Sequence, residues 1–194
     1  HFSLLLVSEA EQMSILPPPS DLNQYITWKS IPGDPKPRKV PVNYQTGKEC
    51  NAHDAQNWTD YNTAAGMVSV IGATGVGFVI TTADPMVCID LDNCLQSDNT
   101  WSPFALEILA QFPGAYVEIS HSGRGLHIWF QGHPPAGHQT RGSEAPGLEV
   151  YSSGRFIALG TQGQGDPNVD HNIQVNALLK HHLPGTLAES AEWT

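Results

Sequence analysis

Apolar residues in this chain fall mostly in short runs that alternate with polar ones, the spacing of half-buried strands. Leu126, Ile128 and Phe130 alternate with His127 and Trp129, and Leu148 and Val150 flank Glu149. Strands are predicted over residues 26–30 and 39–44, the second returning as a hairpin partner after the turn Pro32-Gly33-Asp34-Pro35. Further strands are predicted over 75–81 and 86–91, joined by Ala83-Asp84-Pro85, and over 116–120 and 125–130 around His121-Ser122-Gly123-Arg124. Residues 148–151 and 155–159 read as one more strand pair around Ser153-Gly154. Helical spacing is predicted over 54–67, over 102–112, where Phe104, Ile108 and Phe112 recur on one face, and over 172–182. Short strands mixed with three helices indicate an α+β fold rather than a doubly wound sheet.

The 194 residues suffice for one domain or for one domain of two small lobes. Residues 20–183 form the predicted folded domain. Residues 1–19, closed by Pro17-Pro18-Pro19, read as an N-terminal extension or expression remnant, with Met13 a candidate native start. Residues 184–194 read as a flexible C-terminal tail or linker. Leu4-Leu5-Leu6-Val7 is far too short to span a bilayer, and it lacks the basic flank and cleavage site of a signal peptide. A hydrophobic share of 40% excludes a wholly disordered chain, and 18 glycines with 15 prolines point to many loops. Three cysteines, Cys50, Cys88 and Cys94, make no disulfide framework and suit a reducing cytoplasm. Cys50-Asn51-Ala52-His53 has zinc-like spacing, but no second pair of ligands follows it.

Three segments could carry chemistry. In Cys88-Ile89-Asp90-Leu91-Asp92 the two carboxylates share one strand face, about 7 Å apart by twice the rise per residue. Both ionised, they repel unless a cation lies between them; the plainer reading is a strand end entering a polar loop. In the second segment, Ser122-Gly123-Arg124-Gly125 can bring backbone N–H groups to an anion, and Arg124 adds a forked donor. His127 follows on the face opposite the apolar one; the plainer reading is a hairpin turn and a satisfied histidine. In the third, Glu149 is an acid in an apolar strand and wants a partner, either a metal ion or Arg155 beyond the glycine turn. Together the segments form a two-metal phosphoryl-transfer layout, and oxygen ligands favour Mg²⁺ or Mn²⁺ over zinc.

In this order, Ile89-Asp90-Leu91-Asp92, Ser122-Gly123-Arg124-Gly125-Leu126-His127 and Leu148-Glu149 resemble the three motifs of the archaeo-eukaryotic primase superfamily. The likeness is to the primase-polymerase domains of phage and plasmid replication proteins. Trp28-Lys29, Lys39-Val40-Pro41-Val42-Asn43, Thr46-Gly47, Asp84-Pro85 and the run from Glu149 through Phe156 also look like the phage subgroup. The similarity covers about residues 26–160. It implies a two-lobed α+β fold whose RRM-like mixed sheet carries the carboxylates. It implies template-directed nucleotidyl transfer, DNA priming and DNA polymerisation, adding NTPs or dNTPs to a 3′-hydroxyl with pyrophosphate release. Asp90, Asp92 and Glu149 would then be the catalytic metal ligands for Mg²⁺ or Mn²⁺. His127, Ser122, Arg124, Arg155, Lys39 and Asn43 would bind the nucleotide, and His121 stands where the subgroup often has a small residue or Pro. The partners implied are single-stranded DNA template, primer, nucleotide and a helicase domain or protein outside this chain, since no Walker A motif occurs here. The implied location is the host cytoplasm, with no membrane partner. A metal-dependent nuclease and a non-catalytic nucleic-acid-binding module of a replication protein are the alternatives; a D-x-D sugar-nucleotide transferase lacks support from the His and Arg turn.

A net charge of −10 at first counts against a nucleic-acid binder. The distribution changes that picture. Lys29, Lys36, Arg38, Lys39 and Lys48 crowd residues 28–48 against Asp34 alone, and Arg124, Arg141 and Arg155 fall around the candidate chemistry. Acidity thus excludes tight, nonspecific DNA binding but allows an enzyme that holds its template weakly through a local patch.

Overall fold

A computed structural model describes residues 21–135 and 147–183. The expected N-terminal extension, the expected C-terminal tail and Arg141 lie outside the described residues. The strands are β1 (Tyr25–Ile31), β2 (Arg38–Val42), β3 (Gly75–Ile80), β4 (Met86–Leu91), β5 (Tyr116–Ile119), β6 (Leu126–Gln131), β7 (Leu148–Tyr151), β8 (Arg155–Ala158) and β9 (Thr161–Gln164). The helices are α1 (Tyr61–Met67), α2 (Pro103–Ala110) and α3 (Asn172–His182), with a 3₁₀ turn at Ala55–Asn57. Among the described residues, no helix is long and apolar enough to cross a membrane.

The strands form two sheets, ordered β2-β1-β3-β8 and β7-β4-β6-β5-β9. This bears out the α+β reading, but not the mixed sheet that the resemblance implied. Every ladder within the two sheets is antiparallel. The reason lies in the connection. β4 and β5 run the same way and are joined through α2, yet β6 inserts between them, a split β-α-β unit that brings no parallel neighbours together.

Two further expectations are corrected. Residues 148–151 and 155–158 are not partners: β7 pairs with β4, and β8 with β3 in the other sheet. The Ser153-Gly154 turn therefore carries the chain between sheets. Leu148 and Val150 join the core beneath the five-stranded sheet, while Ile157 packs in a second cluster with Phe78. The single helix expected over 54–67 is broken in two. Asp54 caps the 3₁₀ turn by accepting from Gln56 N, and Asp60 caps α1 by accepting from Thr63 N. Between them Thr59 exchanges backbone hydrogen bonds with Tyr25, and the Trp58 indole donates to Ala52 O. Two caps close together in sequence leave no room for one helix.

The apolar face of the five-stranded sheet explains its strand pattern. Val87, Ile89 and Leu91 of β4, Leu126, Ile128 and Phe130 of β6, and Leu148 and Val150 of β7 pack against Ile108 and Leu109 of α2 and Leu178 and Leu179 of α3. Phe112 stacks on Phe130 with ring centroids 4.8 Å apart. The opposite face is covered over part of its length. There Cys88, Tyr116 and Trp129 meet Tyr25, Phe78 and Ile80 of the four-stranded sheet. The candidate chemistry lies on this second face, one pleat beyond the covered part.

β9 was not expected, because Gly160, Gly163 and Gly165 break any alternation of apolar residues. Close approach to residues 115–120 is what these positions serve. A Cβ on Gly160 would stand 1.8 Å from Ile119 O, so only glycine lets this chain lie against β5. Gly160→Ala is expected to cost about 1–3 kcal/mol, read as a lower urea midpoint with an unchanged slope.

Candidate active site

Backbone register assembles the site. In the β4–β7 ladder Asp90 stands opposite Glu149, and in the β4–β6 ladder it stands opposite His127. In the β5–β6 ladder His127 stands opposite Glu118. Directly opposed residues share a face, with Cβ atoms about 4.5–5.5 Å apart. Glu149, Asp90, His127 and Glu118 thus form one row across four strands. His127 Nε2 lies 3.7 Å from Asp90 Oδ1, and His127 Nδ1 lies 2.8 Å from Glu118 Oε1. The Tyr151 hydroxyl donates to Glu149 Oε2, and the Arg155 guanidinium lies 5.7 Å from the Tyr151 ring centroid. Asp92 sits just past the end of β4, exposed, with its N–H bonded to Gly147 O.

The electrostatics of the row are strained in a particular sense. Asp90 Oδ1 is buried and has no hydrogen-bond partner among the described residues. Burial, reinforced by the charges of Asp92 and Glu149 and opposed by His127 and Lys39, pushes the Asp90 carboxyl up to about 6. For His127, burial favours the neutral ring, but the hydrogen bond and charge of Glu118 and the charge of Asp90 outweigh it and raise its pKa. Lys39 reaches the row electrostatically from β2, with its ammonium 5.8 Å from the centroid of the Trp28 ring. A buried carboxylate oxygen without a donor, facing a second carboxylate, fits a hard divalent cation in donor type and in charge. Among the described residues, no three His, Cys, Asp or Glu side chains already stand close enough together to hold an ion. The fit is therefore one of chemistry and not of a formed cage.

The other expected residues fall into two groups. Ser122 and Arg124 are exposed in the β5–β6 turn, where Ser122 Oγ accepts from Arg124 N and lies 3.1 Å from Ser120 Oγ. His121, in the same turn, meets Trp28 edge-on at 4.8 Å between ring centroids and so links the turn to the four-stranded sheet. Asn43 stands apart, with its amide committed to local structure. It donates to Asn57 Oδ1 and accepts from the backbone of Gln45 and Thr46. A nucleotide contact from Asn43 would have to displace those bonds.

Glu118 is the functional candidate that the sequence reading passed over. Its signal was an acid on the same strand face as Tyr116, in a strand that alternates, but its meeting with His127 depends on the β5–β6 register. Trp129 shares the His127 face, and its indole donates to the same Glu118 oxygen at 3.1 Å.

The pKa shifts set a direction for stability. An aspartate raised from 3.8 to about 6 makes its ionised form costly to the fold, so stability from this group grows as pH falls from about 7 toward 4. A raised histidine acts the same way, its contribution being lost as pH rises through its folded value. Asp90→Asn is expected to stabilise the metal-free protein at pH 8 by about 1–3 kcal/mol, several degrees in melting temperature, and to flatten its dependence between pH 5 and 8. Thermal melts at the two pH values with chelator present check this; a less stable variant at pH 8 contradicts it.

No family model matches the chain. The chain is 35% identical over 139 residues, 70% of its own length, to a protein of Nitratiruptor phage NrS-1 named DNA primase-polymerase. It spans 19% of that protein. The chain is thus related, over most of its own length, to about a fifth of a phage primase-polymerase.

Proposed function

We propose that this chain is the catalytic module of a DNA primase-polymerase of the phage or plasmid type, in the archaeo-eukaryotic primase superfamily. The observation that carries the reading is the cross-strand row of Glu149, Asp90 and His127, two carboxylates with an imidazole beside them. Asp90, Glu149 and Asp92 would hold Mg²⁺ or Mn²⁺, which when bound activates the attacking 3′-hydroxyl and offsets charge on the phosphates. His127, as the imidazolium with hydrogen on both ring nitrogens, would donate from Nε2 to a phosphate oxygen of the incoming nucleotide. Arg124 offers a forked donor to the same anion, and Lys39 faces the row as a point charge. Arg155, over Tyr151, would contact the nucleotide from the Glu149 side, and Ser122 from the turn. The 3′-oxygen would attack the α-phosphorus in line, and pyrophosphate would leave.

The partners of this reading are a single-stranded DNA template, a primer and NTPs or dNTPs, with a helicase acting alongside in the host cytoplasm. Template binding would use the basic stretch on and around β2, where Arg38 and Lys39 are exposed.

Replacing both Asp90 and Asp92 by Ala is expected to lower nucleotide incorporation on a primed single-stranded template at least about 1000-fold, as the loss of electrostatic and metal contributions to transfer does. The fold should persist by circular dichroism, and chelating the divalent ion should have the same effect on the unsubstituted protein. Undiminished synthesis by the double variant would sink the assignment. Cleavage of labelled DNA by the unsubstituted protein, with no incorporation when nucleotides are supplied, would move it to the nucleases.

A further inference from the structure

Glu118 is a carboxylate that the proposed reaction does not use, yet it is only 2% exposed. Burying such a group is costly unless it is well partnered. Its surroundings are aromatic, since it acts electrostatically on the hydroxyls of Tyr25, Tyr61 and Tyr116. Its Oε1 takes two contacts, from the Trp129 indole N–H at 3.1 Å and from His127 Nδ1 at 2.8 Å. Oε1 already accepts from the Trp129 N–H, and a carboxylate oxygen in that role accepts from His127 as well, so Nδ1 is the nitrogen that carries hydrogen in this contact. The other ring nitrogen, Nε2, is turned toward Asp90 Oδ1 at 3.7 Å, beyond hydrogen-bond reach.

We infer that Glu118 is a positioning residue, which pins the His127 ring through Nδ1–H so that, in the imidazolium, the Nε2–H alone is presented to a phosphate oxygen of the nucleotide. The inference rests on the nucleotidyl-transfer reading for what Nε2 contacts, and on geometry alone for what holds the ring. Trp129 serves the same end by fixing Glu118 from two residues along β6. The β5–β6 hairpin thereby delivers three things on one rigid unit: the Glu118–His127 pair in its ladder, and Ser122 and Arg124 in its turn. A ring released from Glu118 could rotate, and either nitrogen would then compete for the phosphate. Carboxylates that orient metal-ligating histidines typically contribute about 10–100-fold, and an effect of that order is expected here.

The test is a double-substitution cycle with a spectroscopic arm. Glu118→Ala is expected to lower kcat/KM for nucleotide incorporation about 10–100-fold, mostly through a higher KM. Glu118→Gln keeps an oxygen acceptor for both N–H groups and is expected to retain most of the activity. In a His127→Ala background, Glu118→Ala should change little, within about threefold, because a residue acting through His127 has nothing left to act on. Equal losses in both backgrounds, or a Glu118→Gln as damaged as Glu118→Ala at equal melting temperature, would overturn the inference. Proton–nitrogen NMR of the whole chain, labelled in its histidines, reads the ring directly. A slowly exchanging Nδ1–H of His127 is expected in the unsubstituted protein and in Glu118→Gln, and its absence from the unsubstituted protein also overturns the inference. This arm needs no catalysis. A protein that incorporates no nucleotide but shows the pinned proton fails the functional reading and keeps the geometry of the pair.

Discussion

The register of β4 against its two neighbours is the constraint on which the rest of the structure depends. Side chains alternate along a strand, so a slip of one residue would turn Ile89 and Leu91 out of the core and bury Asp90 beneath the helices. The apolar face forbids that slip, because Val87, Ile89 and Leu91 fill one cluster with α2 and α3. The end of the strand is held separately. Gly147, at φ +82°, approaches so closely that a Cβ there would stand 2.6 Å from Asp92 O, and the Asp92 N–H bonds back to Gly147 O. With the register held, Glu149 and His127 have no other place to stand than on either side of Asp90.

That arrangement works against stability at the site while the opposite face supplies it. Asp90 is partly desolvated beside two other acids, and its Oδ1 finds no hydrogen-bond partner among the described residues. Sites that break local rules inside an otherwise consistent fold are where function is expected. The four-stranded sheet sharpens the effect from above. Its Tyr25 and Phe78 exclude water from Cys88 and Trp129, and its Lys39 adds positive charge beside that of His127. The edge contact of Trp28 with His121 ties this sheet to the β5–β6 turn.

Much of the fold was legible because alternation is a local signal. β4, β7 and α3 have the bounds that the spacing predicts, and β6 lies within a residue of its own. The parts that were not legible fail for identifiable reasons. β9 is built of Gly, Gln and Thr, whose reason for being extended is the backbone of β5 and not any pattern of its own. The pairing of β7 and β8 is not legible locally, because a short glycine turn is the same in a hairpin as in a crossing between sheets. The break near Trp58 depends on an exchange of hydrogen bonds with Tyr25, more than thirty residues away in sequence.

The sequence by itself determined which residues could do chemistry and which face of each strand they occupy, since residue type and the period of two are local properties. It also carried the kinship to a primase-polymerase, through the order of three short motifs. Only the tertiary structure decided which of these residues meet. Asp90, Glu149 and His127 lie on separate strands whose neighbours follow from β6 inserting between β4 and β5, and Glu118 becomes a partner of His127 only through the hairpin register. The charge balance shows the same division. The net −10 is a property of composition, whereas the influence of Lys39 on the half-buried Asp90 is a property of two sheets packed together. Pairing across strands is a long-range choice, made where backbone hydrogen bonds and apolar burial are satisfied together, and no window of sequence contains it.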